Sequence, residues 1–246
     1  MKIAWERHGH GPTLLLIQGL GYARWGWEPV VEPLARSFEV LVFDNRGIGG
    51  SDAPPGPYTA AQLAADAVRV LDEAGVERAH VAGTSLGGMV AQELVLAHPE
   101  RVDRLVLSCT TPGGPKAFPM PQRTVDLMLA QATLREYVEN ALEPDVRPEI
   151  VDRILAHRER TAQPFEAWAA QAAAGVAFDA YDRLGAVAAP TLVQHGDGDV
   201  VVDPRNADLL ATAIPGARVS IFPGCGHLYF WQGPERFVRE LEEFLC

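Results

Sequence analysis

Ser85, within Gly83-Thr84-Ser85-Leu86-Gly87, has the surroundings of an activated nucleophile. A serine hydroxyl is a weak nucleophile; it needs a base, an acid to orient that base, and donors for a developing oxyanion. The G-x-S-x-G spacing supplies the geometry. The serine sits on a tight strand-to-helix turn, and glycines two residues away on either side let the neighbouring strand and helix approach. Strand-like His80-Val81-Ala82 precedes the motif and helix-like Gly88-Met89-Val90-Ala91-Gln92-Glu93-Leu94 follows it. Ser85 is therefore expected at a helix N-terminus, where free N–H groups favour negative charge.

Seven histidines are available as the base. His8 and His10 lie in the N-terminal segment, His80 enters the strand before the elbow, His98 ends a helix, and His157 lies in a helical middle region. His195 ends a strand where an acidic loop begins. His227, in Phe222-Pro223-Gly224-Cys225-Gly226-His227, is the best placed, after the last expected strand and before the last helix. The acid is expected in His195-Gly196-Asp197-Gly198-Asp199-Val200, which offers Asp197 and Asp199, with Asp203 as a third choice. Aspartates in such loops also make turns and cap helices, so these residues alone leave the choice open.

The elements that must position these groups are legible in the pattern. Apolar, β-branched runs predict strands at Thr13–Ile17, Phe38–Phe43, Ala79–Ala82, Leu105–Ser108, Thr191–Gln194 and Val219–Phe222, with Lys2–Arg7 as an antiparallel edge. Runs apolar throughout suit a parallel sheet buried on both faces. Helices are predicted at Ala60–Ala74, Leu86–Ala97, Pro204–Ala213 and Pro234–Leu245. After Thr110-Thr111-Pro112-Gly113-Gly114-Pro115 the alternation breaks. From about Pro121 to Arg183 the chain reads as helices only, and strands resume at Pro190-Thr191. This predicts an α/β fold with a helical insert.

The order of these motifs resembles the α/β-hydrolase superfamily over essentially the whole chain, in particular its esterase, enol-lactonase and cofactor-free haloperoxidase-like branches. The residues that carry the resemblance are Gln18-Gly19-Leu20-Gly21, Asp44-Asn45-Arg46-Gly47-Ile48-Gly49-Gly50-Ser51-Asp52, the elbow, the acid loop and Gly226-His227. It implies an α/β-hydrolase fold: a mostly parallel sheet with helices on both faces and an inserted helical cap. Residues 1–114 and 190–246 would form the core and 115–189 the cap. It also implies Asp199 as the acid, from the H-G-x-x-D pattern that begins at His195, and an oxyanion hole from the N–H groups of Leu20 and Leu86. Relatives often carry His-Gly where this chain has Gln18-Gly19; Gln can still brace that turn. Asp44 and Arg46 are expected to be structural.

Serine at the elbow, rather than aspartate, predicts an acyl-enzyme and a carboxylic-ester hydrolase (carboxylesterase-like, EC 3.1.1) acting on esters or lactones. Two alternatives keep the same triad: hydrolysis of a C–C bond or an enol-lactone, and a small-molecule receptor. No cofactor or metal is expected, since no nucleotide fingerprint and no Cys/His ligand spacing occurs. A net charge of −11, from 21 basic and 32 acidic residues, disfavours nucleic acid and anionic membranes as partners. The expectation is a cytoplasmic monomer or small homo-oligomer, with its three cysteines reduced.

Overall fold

All six apolar runs, and the edge strand, lie in one seven-stranded sheet. The computed structural model describes residues 1–246. The strands are β1 Trp5–Gly9, β2 Thr13–Ile17, β3 Glu39–Phe43, β4 Ala79–Thr84, β5 Val102–Ser108, β6 Thr191–Gly196 and β7 Arg218–Phe222. Their order is β1-β3-β2-β4-β5-β6-β7, parallel except where β1 pairs antiparallel with β3. The edge strand begins three residues later than Lys2, because the register pairs Trp5 with Phe43 and Gly9 with Glu39.

Alternation along the strands divides the core in two. Leu15, Ile17, Leu41, Phe43, Val81, Leu105 and Val193 face one way. Helices α2 (Ala60–Glu73), α3 (Leu86–Ala97) and α8 (Arg205–Ala213) cover them. Leu14, Leu16, Val40, Val42, Val106 and Leu192 face the other way, beneath α1 (Glu28–Leu34), α9 (Tyr229–Gln232) and α10 (Pro234–Leu245). Both faces are dry, which is why the strands read as continuous apolar runs. A capping box between Thr59 and Gln62 starts α2. No helix is long and apolar enough to cross a membrane.

Strands β5 and β6 are parallel neighbours. The chain between them forms α4 (Gln122–Leu129), α5 (Leu134–Asn140), α6 (Pro148–Arg160) and α7 (Phe165–Val176), then a 3-10 turn at Tyr181–Ala186. These helices build no core of their own. Val138, Val151 and Ile154 extend one core cluster, and Ala170, Ala174 and Phe178 extend the other. The alanine-rich stretch thus packs close to the sheet's carboxyl edge. Of the aromatic residues there, Phe178 is buried and Phe165 is exposed.

The sheet order reverses at β2, whose neighbours are β3 on one side and β4 on the other. Such a switch point opens a crevice at the carboxyl ends of the two strands. The register pairs Ile17 with Gly83, so Gln18-Gly19 and Thr84-Ser85 leave the sheet side by side.

Candidate active site

Ser85 stands between β4 and α3 with φ 54° and ψ −123°, a conformation rare for a residue with a side chain. The flanking glycines make this turn possible. A Cβ on Gly83 would overlap the Gly87 carbonyl, and one on Gly87 would overlap the Ile17 carbonyl. Helix α3 therefore starts directly against β2 and β4. Gly87→Ala should lower stability by about 1–3 kcal/mol, the usual cost of overpacking, read from the urea midpoint, with loss of activity as the elbow shifts.

The Gln18–Gly21 turn lies beside Ser85. A Cβ on Gly19 would come within 3.0 Å of the Ser85 Cβ. The N–H of Leu20 donates to no backbone carbonyl. Leu86 occupies the first turn of α3, where no intrahelical carbonyl can accept its N–H. Leu86 directly follows Ser85, and Leu20 follows the Gly19 that lies against it. Gln18 is buried, and its Oε1 accepts from Gly19 N at 2.9 Å while its carbonyl oxygen accepts from Asn45 Nδ2 at 2.9 Å. The glutamine thus ties down the turn from within.

His227 and Asp199 are brought together. Nδ1 of His227 lies 2.7 Å from Oδ2 of Asp199, and both residues are buried. The other carboxylate oxygen of Asp199 accepts from Val201 N at 2.7 Å and Val202 N at 2.9 Å. The inserted helices help to seat the histidine loop, since Leu228 N donates to Ala141 O. The two other aspartates serve structure. Asp197 accepts from Gly224 N at 2.6 Å, holding its loop to the histidine loop, and Asp203 accepts from Arg205 N and pairs with the Arg205 guanidinium. His227 forms no hydrogen bond to the Ser85 hydroxyl here; such bonds are often long without substrate and tighten when it binds.

Charge and burial compete in this pair. Burial opposes ionisation of Asp199, but the His227 charge, then hydrogen bonds from His195 and His227, hold its carboxyl well below the usual range. Burial disfavours the His227 imidazolium, but the Asp199 charge, and then Cys109, raise the imidazole above its ordinary value. The arrangement can hold a proton on His227 and release it, as general acid–base chemistry requires.

Sequence reasoning missed two neighbours of the pair. His195 Nε2 lies 3.1 Å from Asp199 Oδ2. Cys109 follows β5 with φ 39°, fully buried, its Sγ 2.9 Å from Thr84 Oγ1. The signal for Cys109 was its place one residue beyond a strand end; its contacts depend on register. Of the remaining expectations, Asp44 binds Arg24 and accepts from Gly50 N, and Arg46 pairs with Asp66 at 2.6 Å, both as structural ties. Trp27 is buried against Phe230, and Trp25 stacks on His157. A cleft of about 1000 Å³ is lined by Arg24, Trp25, Asp44 and His157 and does not include Ser85. Arg24 and Asp44 pair with each other and His157 with Glu28, so these charges serve structure.

Comparison with known proteins follows the same lines. The profile of the alpha/beta hydrolase fold matches residues 12–234. A 2-hydroxy-6-oxononadienedioate/2-hydroxy-6-oxononatrienedioate hydrolase of Cupriavidus pinatubonensis is 34% identical over 254 residues, covering 95% of this chain and 86% of that protein. Among solved structures, Est816, an N-acyl homoserine lactone degrading enzyme, is 32% identical with a TM-score of 0.86, covering 98% of this chain and 96% of its own. The enol-lactonase from Burkholderia xenovorans is 28% identical with a TM-score of 0.86, covering 99% and 96%.

Proposed function

The chain belongs to the alpha/beta hydrolase family, a hydrolase by that membership, and from this premise we propose a serine hydrolase that cleaves carboxylic esters or lactones through an acyl-enzyme on Ser85. His227 takes the Ser85 proton as the hydroxyl attacks the carbonyl. The N–H groups of Leu20 and Leu86 hold the oxyanion, each donor being worth about 3–4 kcal/mol in the transition state. His227 then protonates the departing alcohol and activates water for deacylation, while Asp199 keeps the imidazole oriented. Residues 115–189 act as the cap that shapes the entrance. The proposal needs no metal or nucleotide.

One observation carries this reading: the strained Ser85 elbow lies against the Gly19 turn, and Cys109, 2.9 Å from Thr84 of that elbow, joins it to the buried His227–Asp199 pair. The test is a panel of short esters, lactones and vinylogous diketones, with fluorophosphonate labelling alongside. Labelling at Ser85 with multiple turnover on esters or lactones supports the reading. Labelling without turnover on any of the panel refutes it in favour of a small-molecule receptor.

A second reading, C–C bond or enol-lactone hydrolysis of an acidic substrate, is favoured by Arg158 of α6. Its guanidinium lies against the oxyanion turn, 2.8 Å from where a Cβ on Gly21 would sit, and 5.0 Å from the centroid of the Tyr22 ring. The Glu28 carboxylate within reach of its helix is taken by Arg153 and His157. An unneutralised, half-buried cation there suits a substrate carboxylate. Arg158→Gln should raise KM for a carboxylate-bearing substrate by about 10- to 100-fold, the worth of a charged hydrogen bond, and change KM little for its neutral ester. Equal effects on both would remove the support for an acidic substrate.

A further inference from the structure

Four parallel strands end in register at the site. The register pairs Ile17 with Gly83, Thr84 with Ser108, and Ser108 with Gln194. The next residues along β4, β5 and β6 are Ser85, Cys109 and His195. Cys109 is therefore placed between the nucleophile strand and the acid strand by the sheet itself. Its N–H donates to Gln194 O at 2.8 Å and its backbone takes a positive φ, which fixes where the thiol points.

The thiol reaches the His227–Asp199 pair. One ligand atom each from Cys109, Asp199 and His227 lies within 4.8 Å of the others, and all three residues are buried. We infer that these three side chains form a binding site for a soft divalent cation, zinc or cadmium, and that occupancy switches off the proposed hydrolysis. The binding half of this inference stands on geometry; the inhibition half rests on the serine-hydrolase reading above.

The donor set fits. Sulfur, imidazole nitrogen and carboxylate oxygen are the ordinary zinc donors, at about 2.0–2.3 Å from the metal, which places tetrahedral ligands about 3.3–3.6 Å apart. The widest spacing in the cluster would have to close by roughly 1.2–1.5 Å, while the His227–Asp199 hydrogen bond, at 2.7 Å, would have to open by somewhat less. Charge also balances: a thiolate and a carboxylate neutralise a divalent ion, and a neutral imidazole adds none, so no net charge is buried. Binding releases the Cys109 proton and any proton on the coordinating imidazole nitrogen. No redox change occurs. Three protein ligands leave a fourth position for water. A metal-held imidazole can no longer take the Ser85 proton.

The test uses full-length protein with Cys225→Ser and Cys246→Ser, so that Cys109 is its only thiol. Cadmium chloride is titrated while the ultraviolet cadmium–thiolate absorption and calorimetric stoichiometry are followed. The same titration is run with Ser85→Ala added. One equivalent with a thiolate band is expected in both, and at least a tenfold weaker binding with no band in Cys109→Ser. Turnover, scaled to each variant's own metal-free rate, should fall with cadmium and return with EDTA, and should resist cadmium in Cys109→Ser. Cys109→Ala serves if the serine variant fails to fold. Absence of the band, or equal fractional inhibition without the thiol, overturns the inference. A band in a protein that turns over no substrate keeps the metal site and removes the hydrolysis reading.

Discussion

Ser85→Ala is expected to lower kcat on any ester or lactone the chain hydrolyses by about 10⁵–10⁶-fold, the loss found when a triad nucleophile is removed. The proposed oxyanion donors, the N–H groups of Leu20 and Leu86, are backbone groups that the substitution leaves in place, so binding should persist and KM change little. The size of the effect follows from what the fold has done for this one hydroxyl. It holds Ser85 at φ 54°, in a turn that only the Gly83 and Gly87 approaches permit. Backbone strain of this kind costs of order 1–3 kcal/mol and persists where the surroundings over-determine it. Here Ser85 N donates to Ser108 O at 3.0 Å, and Ser85 O accepts from Thr110 Oγ1 at 2.7 Å. These bonds are backbone bonds of residue 85 and survive the substitution, so the variant should unfold at nearly the wild-type midpoint. Steady-state kinetics and fluorophosphonate labelling provide the measurement. Full activity in the alanine variant would falsify the assignment of the nucleophile.

The second large effect is expected at Asp199. Asp199→Asn should reduce kcat by about 10⁴-fold, as loss of the orienting charge favours the wrong imidazole tautomer. It should also move the pH profile. The proposed base, His227, can accept a proton only when neutral, and the Asp199 charge raises its pKa. In the wild type, activity is therefore lost as pH falls through a value above the ordinary histidine pKa of about 6.5. Without the carboxylate charge the imidazole pKa drops, so the acid limb of kcat/KM in Asp199→Asn should lie at lower pH. Asp197→Asn is the control: that side chain holds Gly224 N and does not touch His227, so its effect should be far smaller and leave the limb in place. The opposite pattern, with Asp197 essential and Asp199 dispensable, would move the acid to Asp197.

Cys109 and Arg158 could not be read from the sequence as members of the site. A cysteine one residue past a strand looks like any buried thiol. It reaches the His227–Asp199 pair only because β5 pairs with β4 and β6 in a register that aligns Ser108 with both Thr84 and Gln194. Arg158 sits in a helix crowded with charge, among Arg153, His157, Glu159 and Arg160. Which of these faces the oxyanion turn depends on how α6 docks, and docking is set by Val151 and Ile154 entering the core. The inserted helices likewise read as a separate insert. Their apolar residues turn out to extend the two existing core clusters.

What the sequence by itself determined is local and periodic. The apolar runs set the strands, and the fully apolar character set a sheet covered on both faces. The glycines around Ser85 set a turn that few other residues permit, because an added Cβ would strike backbone. Gln18 could be seen to replace a histidine, but its brace on Gly19 N needed coordinates. The residues alone left the aspartate open and the family resemblance implied Asp199; the tertiary structure shows Asp199 meeting His227, since Asp197 and Asp199 share one loop and differ in direction by the turn between them. It alone decided that the thiol of Cys109 stands beside Thr84 and the His227–Asp199 pair, and the guanidinium of Arg158 beside the Gly21 turn. The physical reason is that strand register and helix docking act between segments far apart in the chain, where no local propensity reaches.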